Sequence, residues 1–129
     1  MDKIKVLIFV ESRYKVNRKR IKKSIADVLY EQAIVKPVEV SIAIVGDRKM
    51  HALNLKYRNL DKTTNVLSFP LSEGEQTPMP GDPEVMRLGD VVISYPRVIQ
   101  EASEQEMLVD DRIDELVKHG LLHLLGIHH

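Results

Sequence analysis

Apolar and polar residues alternate most cleanly over Val38–Val45, where Val38, Val40, Ile42 and Ile44 interleave with Glu39, Ser41, Ala43 and Val45. A period of two sends successive side chains to opposite faces, so this segment predicts a strand with one well-buried face. Lys3–Val10 has a β-rich composition and predicts an earlier strand. Between them Ile21, Ile25, Val28 and Leu29 recur at helical spacing behind Asn17, a suitable N-cap, which predicts a helix to about Glu31. Gly46 ends the second strand, and Asp47 is expected to cap a helix whose apolar surface comes from Met50, Leu53, Leu55 and Tyr57. Asn65–Phe69 predicts a short strand stopped by Pro70. Residues 71–87 hold Gly74, Pro78, Pro80, Gly81 and Pro83 and predict a long loop. Leu88–Tyr95 returns to strand, and Pro96 suits the first turn of a following helix. Asp110 or Asp111 is expected to cap a last helix through Leu125, with Ile113, Leu116, Val117, Leu121 and Leu124 on its buried side and Gly126 as terminator. Strands and helices alternate without repeats or a linker, so one domain over residues 1–129 is expected, a mixed sheet covered by helices.

Composition narrows the chemistry. The 129 residues are 43% hydrophobic and 29% charged, which suits a globular chain able to bury one sizeable core. There is no cysteine, so disulfides, thiolate zinc sites and cysteine nucleophiles are excluded, and any metal must sit on His, Asp or Glu. No apolar run approaches the ~20 residues of a membrane span, and Ile4–Val10 is short and interrupted by Lys5. The expectation is a soluble, cytoplasmic protein.

A net charge of zero hides an asymmetry: residues 1–62 carry 15 Lys and Arg against 7 Asp and Glu, and residues 63–129 carry 4 against 12. The positive charge gathers at Arg13, Lys15, Arg18, Lys19, Arg20, Lys22 and Lys23. Such a cluster is either a solvated helix face or a contact for a polyanion.

The most informative segment is His119-Gly-Leu-Leu-His123-Leu-Leu-Gly126-Ile-His128-His129. Residues four apart on a helix share a face, so His119 and His123 can reach one ion. Gly126 can end the helix in the left-handed conformation and let the chain fold back, bringing His129 to the same ion from outside. Three imidazoles with open positions are the form of a catalytic metal site. The spacing is that of the His-Glu-x-x-His-x-x-Gly-x-x-His zinc proteases, but Gly120 stands where their general-base Glu should be. The metal geometry is therefore expected without the peptidase chemistry. His128 and His129 are also the last residues of the chain, a position open to an added remnant.

A second segment, Tyr57-Arg58-Asn59-Leu60-Asp61-Lys62-Thr63-Thr64-Asn65-Val66-Leu67-Ser68-Phe69-Pro70, puts Arg58 near a helix end before a polar loop. Arg58 there is either a surface or ion-paired residue or a bidentate phosphate ligand. Ser68 reads as a strand or turn hydroxyl, since no nucleophile-elbow pattern surrounds it.

Taken together, Tyr57–Pro70, then Leu88-Gly89-Asp90-Val91, then His119–His129 resemble the YbeY family of bacterial endoribonucleases and ribosomal-RNA maturation factors. The resemblance spans nearly the whole chain. It implies an α+β fold with a mixed sheet and helices around a cleft lined by the zincin-like His-x3-His helix. It also implies one zinc ion on His119, His123 and His129, and a catalytic role for Arg58. The implied activity is metal-dependent cleavage of single-stranded RNA in ribosomal-RNA processing, at the small-subunit 3′ end, and in ribosome quality control. The implied partners are ribosomal RNA or ribosomal subunits, with Arg18, Arg20 and Lys22 as candidate contacts to the RNA backbone. The sequence departs from the family pattern at Asn65, where Asp is usual, and at Ile127-His128, where Tyr-Asp is usual. Family members usually continue some twenty residues past the third His, so the chain is expected to lack that tail. Two other classes remain open: a metallohydrolase with a different substrate, and an RNA-binding or ribosome-assembly factor without its own cleavage activity.

Overall fold

The computed structural model describes residues 3–71 and 85–127. Its elements are β1 (Ile4–Val10), α1 (Arg18–Glu31), β2 (Val38–Val45), α2 (Asp47–Arg58), β3 (Val66–Pro70), β4 (Met86–Ser94), α3 (Tyr95–Glu104) and α4 (Val109–Leu124). The four strands form one mixed sheet in the order β1-β2-β4-β3. β1, β2 and β4 are mutually parallel, and β3 runs antiparallel to β4 along the edge. This is an α+β unit.

The strict alternation of β2 sorts the core. Val38, Val40, Ile42 and Ile44 face α1 and α4 together with Val91 and Ile93 of β4. The helices answer with Ile21, Ile25 and Val28 of α1 and Ile113, Val117 and Leu121 of α4. The opposite face holds a smaller cluster in which Met50 of α2 covers Val45, Leu67 and Val92. α4 thus lies on the main core face, and α2 lies on the other.

Several boundaries differ from those predicted, each for a physical reason. Asp47 does not cap α2; Gly46 takes the cap position without a side-chain bond. The Asp47 carboxylate instead accepts hydrogen bonds from Ser94 Oγ (2.6 Å) and Thr63 Oγ1 (3.1 Å), tying α2 to the end of β4 and to the loop before β3. Neither Asp110 nor Asp111 caps α4. Leu108 occupies that position, and both aspartates lie in the first turn, where negative charge complements the helix dipole. β4 begins at Met86, two residues earlier than expected, because Met86 and Arg87 pair with Val38 and Glu39 across a bulge. Most of the predicted loop over 71–87 lies outside the described residues. Asn17 does cap α1, accepting from the Arg20 backbone N–H.

α1 and α4 are also joined by charge. Arg20 donates to Asp114 through Nε (3.0 Å) and Nη2 (2.6 Å) and to Asp111 through Nη2, and Ser24 Oγ donates to the other Asp114 oxygen (3.0 Å). The hydrogen bonds from Asp111 and then Asp114 raise the Arg20 pKa further above its ordinary value. Arg20→Ala should therefore lower the thermal unfolding midpoint, while Lys22→Ala should leave it unchanged. Parallel thermal melts check this.

Candidate functional site

α4 carries His119 and His123 on neighbouring turns, His119 exposed and His123 half-buried, with ring centroids 4.5 Å apart. The helix ends as Gly126 predicts. Gly126 has φ +83°, its N–H reaches the His123 carbonyl (3.0 Å), and the Ile127 N–H reaches that of Leu122 (2.9 Å). These two bonds form a Schellman closure, which turns the chain back on itself. His128 and His129 lie outside the described residues, and among the described residues no group of three or more His, Cys, Asp or Glu is arranged to hold a metal ion. The structure thus brings together two of the three predicted ligands. Two imidazoles one turn apart are a donor set that suits a borderline cation such as zinc.

Gly120 explains why no glutamate follows His119. It is buried, and a Cβ built there would lie 2.6 Å from Val91 Cγ1 and 3.0 Å from Val91 Cγ2. The helix backbone rests on β4 at this point, so the turn has no room for any side chain. Gly120→Ala is expected to overpack this contact and cost about 1–3 kcal/mol of stability, to be read from denaturant unfolding.

Arg58, the last residue of α2, is exposed on its outer surface but not loose. Its Nη2 donates to the Ser68 carbonyl (2.7 Å) and its Nη1 to the Tyr57 carbonyl (3.3 Å). Its guanidinium carbon lies 4.8 Å from the centre of the Phe69 ring, an attractive cation–π placement. Phe69 in turn meets Tyr57 edge-on at 5.3 Å. The same Ser68 donates its hydroxyl to the Gly120 carbonyl (3.3 Å), inside the turn that separates the two histidines. Arg58 and the histidine pair are therefore connected through one residue of the edge strand.

The loop that delivers β3 is anchored at several points. Buried Asn54 donates to the Lys62 carbonyl (2.9 Å), and His51 Nε2 lies 2.6 Å from Asp61 Oδ1. Asn65 donates to both oxygens of Glu101 (3.3 and 3.2 Å). Glu101 also receives Nε and Nη2 of Arg112, whose Nη1 reaches Glu115. Burial opposes the Arg112 charge, but the hydrogen bonds of Glu115 and Glu101 outweigh it and raise the Arg112 pKa. An aspartate at position 65 would face the Glu101 carboxylate without a proton to donate, so the amide fits this neighbour. Sequence reading missed Glu101 and Arg112, since nothing in their local pattern marks them.

The basic cluster lies elsewhere. Lys15, Asn17, Arg18 and Lys19 line a surface cavity of about 470 Å³ with Val16 and Asp110, at the start of α1. Asp110 and His119 are nine positions apart on α4, about 14 Å along the helix. Arg18 donates to the Ile8 carbonyl (3.1 Å), and Arg20 is engaged by its two aspartates.

The family model described as Endoribonuclease YbeY matches residues 8–129. The chain belongs to the YbeY endoribonuclease family. It is 40% identical to Endoribonuclease YbeY of Acinetobacter baumannii, over 94% of this chain and 75% of that protein. It is 43% identical to Endoribonuclease YbeY of Magnetococcus marinus, over 72% of this chain and 65% of the relative. The chain thus spans about two thirds to three quarters of these YbeY relatives. A Thermotoga maritima protein of known solution structure superposes with a TM-score of 0.60 at 25% identity, over 96% of this chain and 74% of that one. Among the described residues no helix is long and apolar enough to cross a membrane.

Proposed function

We propose that residues 1–129 form a metal-dependent endoribonuclease domain that cleaves single-stranded RNA in the cytoplasm, in ribosomal-RNA processing at the small-subunit 3′ end and in ribosome quality control. Membership of a family named for endoribonuclease activity supports the reaction class. The observation that carries the reading is the strapped Arg58 guanidinium, joined through Ser68 to the turn between His119 and His123. His119 and His123, with His129, would hold one zinc ion in a His-x3-His cleft. When bound, that ion supplies Lewis-acid chemistry that activates water and polarises a phosphodiester oxygen.

The chain's own residues do the rest. Arg58 presents a planar, permanently charged fork to the phosphate and stabilises the negative charge that grows on it during cleavage. The Ser68 carbonyl and the Phe69 ring hold that fork in place before the substrate arrives, so little ordering remains for the transition state. Buried Gly120 offers no general base, so the proton acceptor of the zinc peptidases is missing at this position.

The reading is tested on purified protein with a single-stranded oligoribonucleotide. Cleavage should be lost with chelator and return with zinc. RNA binding without cleavage, independent of metal, would replace it with an assembly-factor role. Cleavage of another phosphodiester or ester but not RNA would replace it with a different hydrolase.

RNA affinity should also fall with salt, at a log–log slope of about −0.7 per phosphate contact on a single strand. Arg18→Ala with Lys22→Ala should flatten that slope. An unchanged slope returns α1 to a solvated face. Arg20 is a poor probe, because its substitution also unties α1 from α4.

A further inference from the structure

Ser68 touches both halves of the candidate site. Its backbone and side chain reach in opposite directions. The carbonyl accepts from Arg58 Nη2 at 2.7 Å, and the hydroxyl donates to the Gly120 carbonyl at 3.3 Å. Gly120 follows His119 directly and lies in the turn leading to His123. A Cβ at Gly120 would come within 3.3 Å of Ser68 Oγ, so the glycine gives the hydroxyl its access to the helix backbone. Ser68 lies on β3, an edge strand paired with β4 on one side. Arg58 covers the Ser68 carbonyl. The contact is thus made by a residue from each of three elements: the end of α2, the middle of β3 and the histidine-bearing part of α4.

We infer that Ser68 is a positioning residue that sets the spacing between the Arg58 guanidinium and the His119–His123 pair. Its hydroxyl holds α4 at a fixed distance from the strand on which Arg58 is strapped. The inference rests on the nuclease reading, in which one phosphate must meet Arg58 and the histidine site together. A shift of about 1 Å between two catalytic groups can cost on the order of 10²-fold in rate. One long hydrogen bond holding them in register therefore has more leverage on turnover than on stability. Ser68→Ala removes the hydroxyl and leaves the backbone carbonyl for Arg58.

The experiment is a double-mutant cycle on RNA cleavage with Ser68→Ala, Arg58→Ala and the double variant, at matched metal content. Crystal structures of the wild type and Ser68→Ala accompany it. Ser68→Ala is expected to lower kcat about tenfold or more while KM, the melting midpoint and metal content stay near wild type. In the Arg58→Ala background the same substitution should cost less than twofold, because the spacing it guards no longer matters. The crystal structures should differ in the separation of the Arg58 guanidinium from the His119 ring. An equal loss in both backgrounds, a kcat unchanged by Ser68→Ala, or a loss that follows the melting midpoint alone would overturn the inference. A wild type that cleaves no RNA would overturn the nuclease reading instead. The crystallographic separation would then decide the Ser68 role by itself, an unchanged separation overturning it.

Discussion

Arg58→Ala should reduce RNA cleavage by about 10²–10³-fold while the protein stays folded and keeps its metal, by analogy with removal of one charge-stabilising donor from an oxyanion site. The expectation follows from where Arg58 sits. Its contacts are two backbone carbonyls and one aromatic face, and it makes no ion pair with a carboxylate among the described residues. An arginine retained for stability would more usually be found like Arg112, locked between Glu101 and Glu115. Arg58 keeps its full charge for a ligand, and its remaining N–H groups are available for a phosphate. Arg58→Lys should restore only part of the rate, because a point charge cannot copy the planar fork and loses the stacking on Phe69. Rates, thermal melts and metal content measured together decide the matter. A variant that melts far lower or loses metal makes Arg58 a structural strap. One that cleaves normally with metal bound removes it from the chemistry.

How legible this was in the sequence depended on the range of the interactions. The alternation in β2 and the helical spacing in α1 and α4 are local patterns set by the core, and the elements appeared where those patterns placed them. Asn17 and Gly126 acted as cap and terminator because both work on backbone groups within a few residues. Asp47 and Asp111 do not cap their helices, and each meets a partner far along the chain. Asp47 is held by Ser94 and Thr63, and Asp111 by Arg20. Strong distant donors outcompeted a local cap that a helix can do without.

The site divides in the same way. His119 and His123 were legible because one helix sets their relation. Ser68 is a strand hydroxyl, as its local pattern predicts, but its double contact with Arg58 and Gly120 needs α2, β3 and α4 in place at once. Gly120 could be recognised as the wrong residue for a peptidase, yet only the 2.6 Å approach to Val91 gives the reason. The basic cluster looked uniform in sequence. In the fold Arg20 ties two helices together, whereas Lys15, Arg18 and Lys19 face a surface cavity.

His119→Ala should remove most of the bound metal and, with it, RNA cleavage. Two imidazoles on one helix turn form a preorganised pair, and losing one leaves the ion a single helix ligand. Loss of a mere outer-shell partner already weakens metal binding by ~10–100-fold, and loss of a ligand should exceed that. His123→Ala should behave alike, since its ring is the other member of the pair 4.5 Å away. Neither side chain is fully buried in the apolar core, so the metal-free variants should fold with the same circular dichroism as the metal-free wild type. Added zinc should raise the melting midpoint of the wild type, because an ion that binds only the folded chain stabilises it by mass action. That rise should vanish in both variants. His129→Ala should weaken the metal as the third ligand would, and His128→Ala should keep it, because position 128 falls outside the spacing pattern. Elemental analysis and zinc-dependent melts of the four variants read all of this in one set of preparations. Full stoichiometric metal in His119→Ala would move the ion off α4, and metal lost only in His128→Ala would shift the third ligand by one residue.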